Sequence, residues 1–161
     1  MQNLFPPGVG ITQVRGILKV IKEHSGTMEM SQLAEEIEEE VDDLLPIIKA
    51  AKLLGFVITK KDDIIITKEV DNIALKDINS LLEKKLPDIE PFKTIFQALK
   101  INPERSLTTV ELANLLQGKG IRVDEPEASN EDMLKRLLLH WAVRPKFLSY
   151  DPKSDIWTYK G

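Results

Sequence analysis

The chain contains no cysteine, and this absence excludes several functions at once. A disulfide framework, a thiol nucleophile and a thiolate metal site all require cysteine. The two histidines, His24 and His140, lie far apart and lack the short spacing that metal ligands show. No apolar run approaches the roughly 18 residues that indicate a membrane-spanning helix.

Motifs that serve catalysis are also missing. The sequence has no glycine-rich phosphate-binding loop, no GxGxxG after a predicted strand, no GxSxG and no HExxH. The N-terminus, MQNLFPPGVG, lacks the basic start and apolar core of a signal peptide. We therefore expect a cytoplasmic protein that is not an enzyme and that uses no cofactor and no metal.

Charge is distributed unevenly along the 161 residues, whose net charge is −4. Residues 1–72 hold 8 Lys and Arg against 13 Asp and Glu, a balance of −5. Residues 73–161 hold 14 against 13, a balance of +1. Neither part has the strongly basic balance that is typical of nucleic-acid binding.

Two stretches about 78 positions apart carry the same apolar pattern. Each predicts three helices followed by two strands that are joined by a turn. The offset is 78 at the first helix and 92 at the last strand, and it steps once near Gly118–Ala128. A nearly constant offset with one step is typical of a diverged tandem repeat. The predicted element order is that of a winged helix.

The first unit's helices are predicted at about Thr12–His24 and Glu29–Glu39. The third must begin near Asp42 or Asp43, because Pro46 has no amide hydrogen and fits best in a first helical turn. A linking helix over about Ala74–Leu86 follows, with Leu75, Ile78, Leu82 and Leu86 on one stripe. That stripe is buried either between the two units or against a second copy of the chain.

Hairpins, which would be the wings, complete each predicted unit. The first pairs Phe56–Lys60 with Ile64–Thr67, and the second pairs Phe147–Tyr150 with Ile156–Lys160. Thr108 and Glu111, like Ser129 and Asp132, have capping-box spacing before the second unit's later helices. We predict an α+β, mostly helical chain of tandem winged-helix units, with a first unit at 1–72, a linking helix at 73–90 and a second unit at 91–161.

An acidic segment is the most unusual local feature. From Glu29 to Asp43 there are eight carboxylates and no lysine or arginine. In a DNA-binding winged helix this region faces the phosphates, so carboxylates there would oppose the main source of affinity. They form either a solvated face or a protein-contact surface, for which the candidates are Glu35, Glu36, Glu39, Asp42 and Asp43.

The second unit is the better candidate for DNA binding. Basic residues fall on or just after its third helix and in its wing: Lys135, Arg136, Arg144, Lys146 and Lys153. They are also consistent with ordinary surface residues. The aromatic residues Trp141, Tyr150, Trp157 and Tyr159 could stack on a ligand or a base, although such residues more often fill a small core.

Several strings in the first unit resemble a known family. These strings are Leu33-Ala34-Glu35-Glu36, Val41-Asp42-Asp43-Leu44-Leu45-Pro46, Leu54-Gly55-Phe56, and Asp63-Ile64 before Thr67. They are similar to the AAA-associated C-terminal domain family, and the resemblance extends from Gln13-Val14 to Phe147–Asp151. That domain follows the ATP-binding cassette in ATPase subunits of nitrate/sulfonate/taurine-type ABC transporters. The resemblance supplies no catalytic residues to carry over.

The resemblance implies a non-catalytic regulatory or protein-interaction module, peripheral to the membrane through a transporter complex. Its partners would be proteins, either an ABC transporter ATPase or another copy of the chain. The alternative is a winged-helix transcriptional regulator that binds DNA through the second unit. A third possibility is a scaffold that dimerises through the linking helix.

Overall fold

A computed structural model of the chain describes residues 5–6, 8–121, 130–143 and 146–160. The chain divides into two compact units. The first unit is Ile11–Lys85, and the second combines Met1–Gly10 with Leu86–Gly161. Both are α+β, and each contains one three-stranded antiparallel sheet. The predicted borders placed residues 1–10 in the first unit and treated residues 73–90 as a separate linking helix. In the structure residues 1–10 group with the second unit, and the linking segment is divided between the two units at Lys85 and Leu86.

The first unit has five helices and three strands among its described residues. In chain order they are α1 (Ile11–Glu23), β1 (Thr27–Glu29), α2 (Met30–Ile37), α3 (Val41–Leu53), β2 (Val57–Lys60), β3 (Asp63–Ile66), α4 (Lys68–Asp71) and α5 (Ile78–Lys85), with a 3-10 turn at Leu75–Asp77. The sheet order is β1-β3-β2, so the last strand lies in the middle.

The second unit repeats much of this order. Its elements are a 3-10 turn (Leu86–Asp88), α6 (Phe92–Ile101), β4 (Ser106–Thr108), α7 (Thr109–Gly118), α8 (Asn130–Leu138), a π-helical turn (Leu139–Val143), β5 (Leu148–Asp151) and β6 (Ile156–Tyr159). The sheet order is β4-β6-β5. Helix, strand, helix, helix, strand and strand therefore occur in the same order in both units.

A third strand in each sheet was missed by the sequence analysis. β1 and β4 are three residues each, too short for the alternating pattern that predicts a strand. Thr27 pairs with Ile65, and Ser106 pairs with Thr158, so both strands depend on partners about 40 to 50 positions away along the chain. Pairing of that range is a tertiary property, which local propensity does not encode.

The first helix of each unit buries its predicted apolar stripe. Val14, Ile17, Leu18 and Ile21 on α1 are buried, as are Phe92, Ile95, Phe96 and Leu99 on α6. Their spacing of three and four positions places them on one face of a helix. Burial of such a side chain stabilises the folded state by about 1.5–3 kcal/mol.

The predicted start of α3 was wrong. The helix begins at Val41 after Glu40, which makes Asp42 and Asp43 residues of its first turn. Pro46 consequently lies inside the helix and cannot donate to the carbonyl of Asp42. The two aspartates still interact favourably with the positive end of the helix dipole.

The linking segment is not a single helix. A 3-10 turn precedes α5, and another at Leu86–Asp88 follows it. Ile78, Leu81 and Leu82 are buried in the chain, whereas Leu75 is partly exposed. The buried stripe therefore includes Leu81, which the sequence analysis left out, and excludes Leu75.

The capping box at the start of α7 is confirmed. The Thr108 hydroxyl accepts from the Glu111 amide at 3.1 Å, and the Glu111 carboxylate accepts from the Thr108 amide at 2.9 Å. The related Ser129–Asp132 pair lies partly outside the described residues. In the part of the chain that the structure describes, no helix combines the length and apolar content needed to cross a bilayer.

The N-terminal segment belongs to the core of the second unit. Phe5 is 1% exposed and packs edge-on against Phe92 and Trp141, with ring centroids 5.3 and 5.0 Å apart. The Trp141 indole donates to the carbonyl of Val9 at 2.7 Å. The sequence alone did not indicate this packing, because an isolated phenylalanine carries no periodic signal.

Candidate functional site

The acidic candidates lie on α2, on α3 and in the turn that joins them. Glu35 and Glu36 are on α2, Glu39 is in the turn, and Asp42 and Asp43 are in the first turn of α3; all five are exposed. The connection between the helices is only Glu38–Glu40, so the structure brings their carboxylates to the same end of the first unit. Glu38 has a left-handed backbone, with φ of 58°, where it ends α2.

Helix stability does not account for all of these carboxylates. Asp42 and Asp43 suit the start of a helix, but Glu35 and Glu36 lie in the last turn of α2, which contains no basic residue. Acidic residues near a helix C-terminus are unfavourable by about 0.3–1 kcal/mol each. The carboxylate of Glu36 is 2.6 Å from His24 Nε2, whereas Glu35 has no such ion pair among the described residues.

Two apolar side chains are exposed within this acidic surface. Val41 is 39% exposed and Leu45 is 45% exposed. They are four positions apart on α3 and so form one ridge, and Asp42 is three positions from Leu45. We call Val41, Leu45 and the exposed carboxylates Glu39 and Asp42 the acidic–apolar face; Asp43, two positions from both apolar residues, lies on the other side of α3.

The exposed side of α3 follows from its helical spacing. Leu44 continues the buried stripe of Ile47, Ile48 and Ala51, whereas Leu45 lies off that stripe and is exposed. Pro46, Lys49 and Lys52 are also exposed, and Ala50 is buried.

The basic candidates of the second unit are dispersed. Arg136 is exposed on α8, Lys146 is exposed before β5, and Lys153 is exposed in the turn between β5 and β6. Arg144 lies outside the described residues. Lys135 is partly exposed on α8, with its Nζ 3.8 Å from the carboxylate of Asp155 and 5.5 Å from the ring centroid of Tyr150.

Asp155 organises a hydrogen-bonded group around this lysine. Its carboxylate accepts from the hydroxyl of Tyr150 at 2.5 Å and from the hydroxyl of Thr109 at 2.7 Å. These bonds, that of Tyr150 above all, lower the pKa of Asp155. The interaction with Tyr150 raises the pKa of Lys135. Lys135 therefore already has an acidic neighbour that would compete with a phosphate.

The four aromatic candidates do not form one platform. Trp141 is buried against Phe5, while Trp157 is buried and packs on Tyr150 with centroids 4.2 Å apart. Trp157 also donates to the Thr109 hydroxyl at 2.8 Å. Tyr159, partly exposed, has Lys100 and Arg105 over its ring. These contacts support the interpretation of the tryptophans as core residues.

A groove between α6 and α7, with a volume of about 390 Å³, is a second surface feature. Ala98, Ile101 and Leu115 form its apolar part, and Lys100 and Lys119 flank it. Ile101 is 84% exposed, the highest value among the exposed large apolar side chains of the described residues. We call these five residues the basic–apolar groove; sequence analysis missed it because its residues come from two helices.

Together these features describe two α+β units, of which the first carries the acidic–apolar face and the second the basic–apolar groove. The chain belongs to the C-terminal AAA-associated domain family, whose model matches residues 31–151. The match includes the acidic–apolar face and the basic–apolar groove. No curated protein and no solved structure matches the chain significantly.

Proposed function

We propose that the chain is a non-catalytic regulatory or interaction module of the ATPase of an ABC transporter, and that it acts in the cytoplasm. Its family membership supports the link to such an ATPase. The acidic–apolar face is the observation that carries the interaction role. This face combines exposed apolar area, which association can bury, with carboxylates that select a basic partner.

Both units are proposed to be winged helices. The shared order of helices and strands, and the position of the last strand in the middle of each sheet, support this assignment. In such a fold α3 would occupy the position of the DNA-recognition helix. Its exposed first turns instead carry Val41, Asp42 and Leu45, which offer no donors for phosphates. The same position is therefore suited to a protein.

The first test measures binding to the ATP-binding cassette of the ABC transporter ATPase encoded nearest to this chain, purified without its own C-terminal domain. Titration calorimetry should detect binding that Leu45→Asp weakens at least about tenfold, or about 1.4 kcal/mol. Ile58→Asp is the matched control, since Ile58 is 50% exposed in β2 of the same unit. Equal binding by wild type and Leu45→Asp, or no binding, would contradict the proposal.

DNA binding through the second unit is the competing function. Duplex DNA that binds the wild type at low salt, with affinity falling steeply as salt rises, would support it instead. We expect no such binding from the wild type. A quadruple variant replaces four carboxylates by lysine, at Glu35, Glu36, Glu39 and Asp42. It should bind nonspecific duplex DNA more tightly than the wild type, because lysines that contact phosphates replace carboxylates that repel them.

The proposal also requires that the chain alone does not hydrolyse ATP. Phosphoryl-transfer enzymes position and neutralise the phosphates with a dedicated loop and metal ligands. The sequence offers no such loop. Steady phosphate release by the purified chain that a point mutation in this chain abolishes would overturn this part of the proposal.

A further inference from the structure

The basic–apolar groove is an exposed surface of the second unit that combines apolar and basic side chains. Ile101 projects from the end of α6 with most of its surface exposed, and Leu115 on α7 is partly exposed. An apolar residue that remains exposed within such a groove gains stabilisation when another molecule covers it. The groove is also positively charged, because Lys100 and Lys119 lie along it.

The acidic–apolar face of the first unit has the complementary properties. Val41 and Leu45 form a ridge one helical turn long, with Asp42 beside it and Glu39 in the preceding turn. A ridge on a helix that enters a groove between two helices is a recurrent mode of protein recognition. Val41 and Leu45 of the face and Ile101 of the groove are all exposed, and a second copy of the chain carries both complementary surfaces.

We propose that the basic–apolar groove binds the acidic–apolar face of a second copy of this chain. The inference rests on the proposed function of that face as a protein-contact surface, and it identifies the surface that the face contacts. Leu45 and Val41 of one copy cover Ile101 and Leu115 of the other. Carboxylates of the first copy then lie beside lysines of the second. This charge pairing determines which surface of one copy meets which surface of the other.

This contact is heterologous, because two different surfaces meet. Such contacts form rings when the rotation closes and open chains when it does not, so one copy can be joined at both surfaces. The area offered by a few side chains is small, which is typical of weak and transient association. We therefore expect self-association that depends strongly on concentration and weakens as salt screens the charges.

Sedimentation velocity of the full chain over a range of concentrations, at low and high salt, tests this inference. Ile101→Asp should weaken self-association at least about tenfold, because it places an unpaired carboxylate against the apolar side chains of Val41 and Leu45 of the facing copy. Val110→Asp is the matched control, since Val110 is 45% exposed on α7 but does not line the groove. Ile101 is so exposed that its replacement should leave the helical circular dichroism signal unchanged.

Charge exchange between two variants gives the sharper result. Lys100→Glu/Lys119→Glu alone and Glu39→Lys/Asp42→Lys alone should each associate less than wild type. A mixture of the two should recover association, because the reversed groove of one then meets the reversed face of the other. Recovery in the mixture, absent from either variant alone, is the signature of this contact.

The inference is wrong if wild type stays monomeric at every concentration and at low salt. It is also wrong if Ile101→Asp and Val110→Asp associate equally, or if the mixed variants do not recover. These outcomes do not decide the proposed function, which has its own test. In that test the partner is an ATP-binding cassette purified without its own C-terminal domain, so it does not carry the basic–apolar groove. Loss of cassette binding by Leu45→Asp with unchanged self-association would separate the two.

Discussion

Replacement of Phe5 by alanine tests how the N-terminal segment contributes to the second unit. The ring of Phe5 is buried between Phe92 and Trp141, in edge-to-face contact with both. Burial of such a side chain contributes about 1.5–3 kcal/mol. Each edge-to-face pair adds about 0.5–1.5 kcal/mol. Phe→Ala replacements in protein cores accordingly cost about 3–5 kcal/mol.

We therefore expect Phe5→Ala to lower the free energy of unfolding of the second unit by about 3–5 kcal/mol. With a urea dependence of about 1–3 kcal/mol per molar, the midpoint should fall by roughly 2 M. Urea titration followed by tryptophan fluorescence measures this directly, because Trp141 touches Phe5 and donates to the carbonyl of Val9. Removal of the ring should also shift the emission of the folded protein to the red, since water reaches the indole.

Two controls delimit the expected effect. Ile101→Ala removes an apolar side chain that is 84% exposed, and it should change stability by less than about 0.5 kcal/mol. Deletion of residues 1–10 sets the upper limit, because Phe5→Ala cannot cost more than complete loss of the docked segment. A Phe5→Ala variant with the midpoint and emission of wild type would refute the packing argument.

Three further changes have expected outcomes. Thr108→Ala should cost about 1 kcal/mol by removing the cap of α7, and thermal unfolding should show it; an unchanged melting temperature would contradict the capping geometry. Leu82→Asp should unfold the first unit, because it places an unpaired carboxylate at a fully buried position. A Leu82→Asp variant whose circular dichroism spectrum matches that of the wild type would contradict this packing. Asp155 has a lowered pKa in the fold, so its stabilisation is present above its unfolded value of 3.8 and is lost as pH falls through the lower folded value. Tyr150→Phe should raise the Asp155 pKa in an NMR titration and reduce that acid-dependent loss, whereas an unshifted titration would exclude this hydrogen bond as the main cause.

The sequence by itself determined the features that depend on neighbours along the chain. The stripes of α1 and α6 repeat every three or four residues, so they predict helices and buried faces without knowledge of the fold. The capping box of Thr108 and Glu111 is likewise a property of residues three apart. The acidic segment and its absence of basic residues are visible in the sequence alone.

Only the tertiary structure decided where α3 begins. The spacing along the chain does separate Leu44, which continues the stripe of Ile47, Ile48 and Ala51 and is buried, from Leu45, which lies off that stripe and is 45% exposed. The start of α3 was misjudged because Pro46 is penalised in a helix interior, and the surrounding packing outweighs that preference.

Residues distant in the sequence were also brought together only by folding. Phe5 joins the core of the second unit through Phe92 and Trp141, both more than 80 positions away. The strands β1 and β4 exist because distant partners supply their hydrogen bonds. The basic–apolar groove combines α6 and α7. Such surfaces are not determined by local propensity, because they arise from the packing of elements rather than from the order of residues within them.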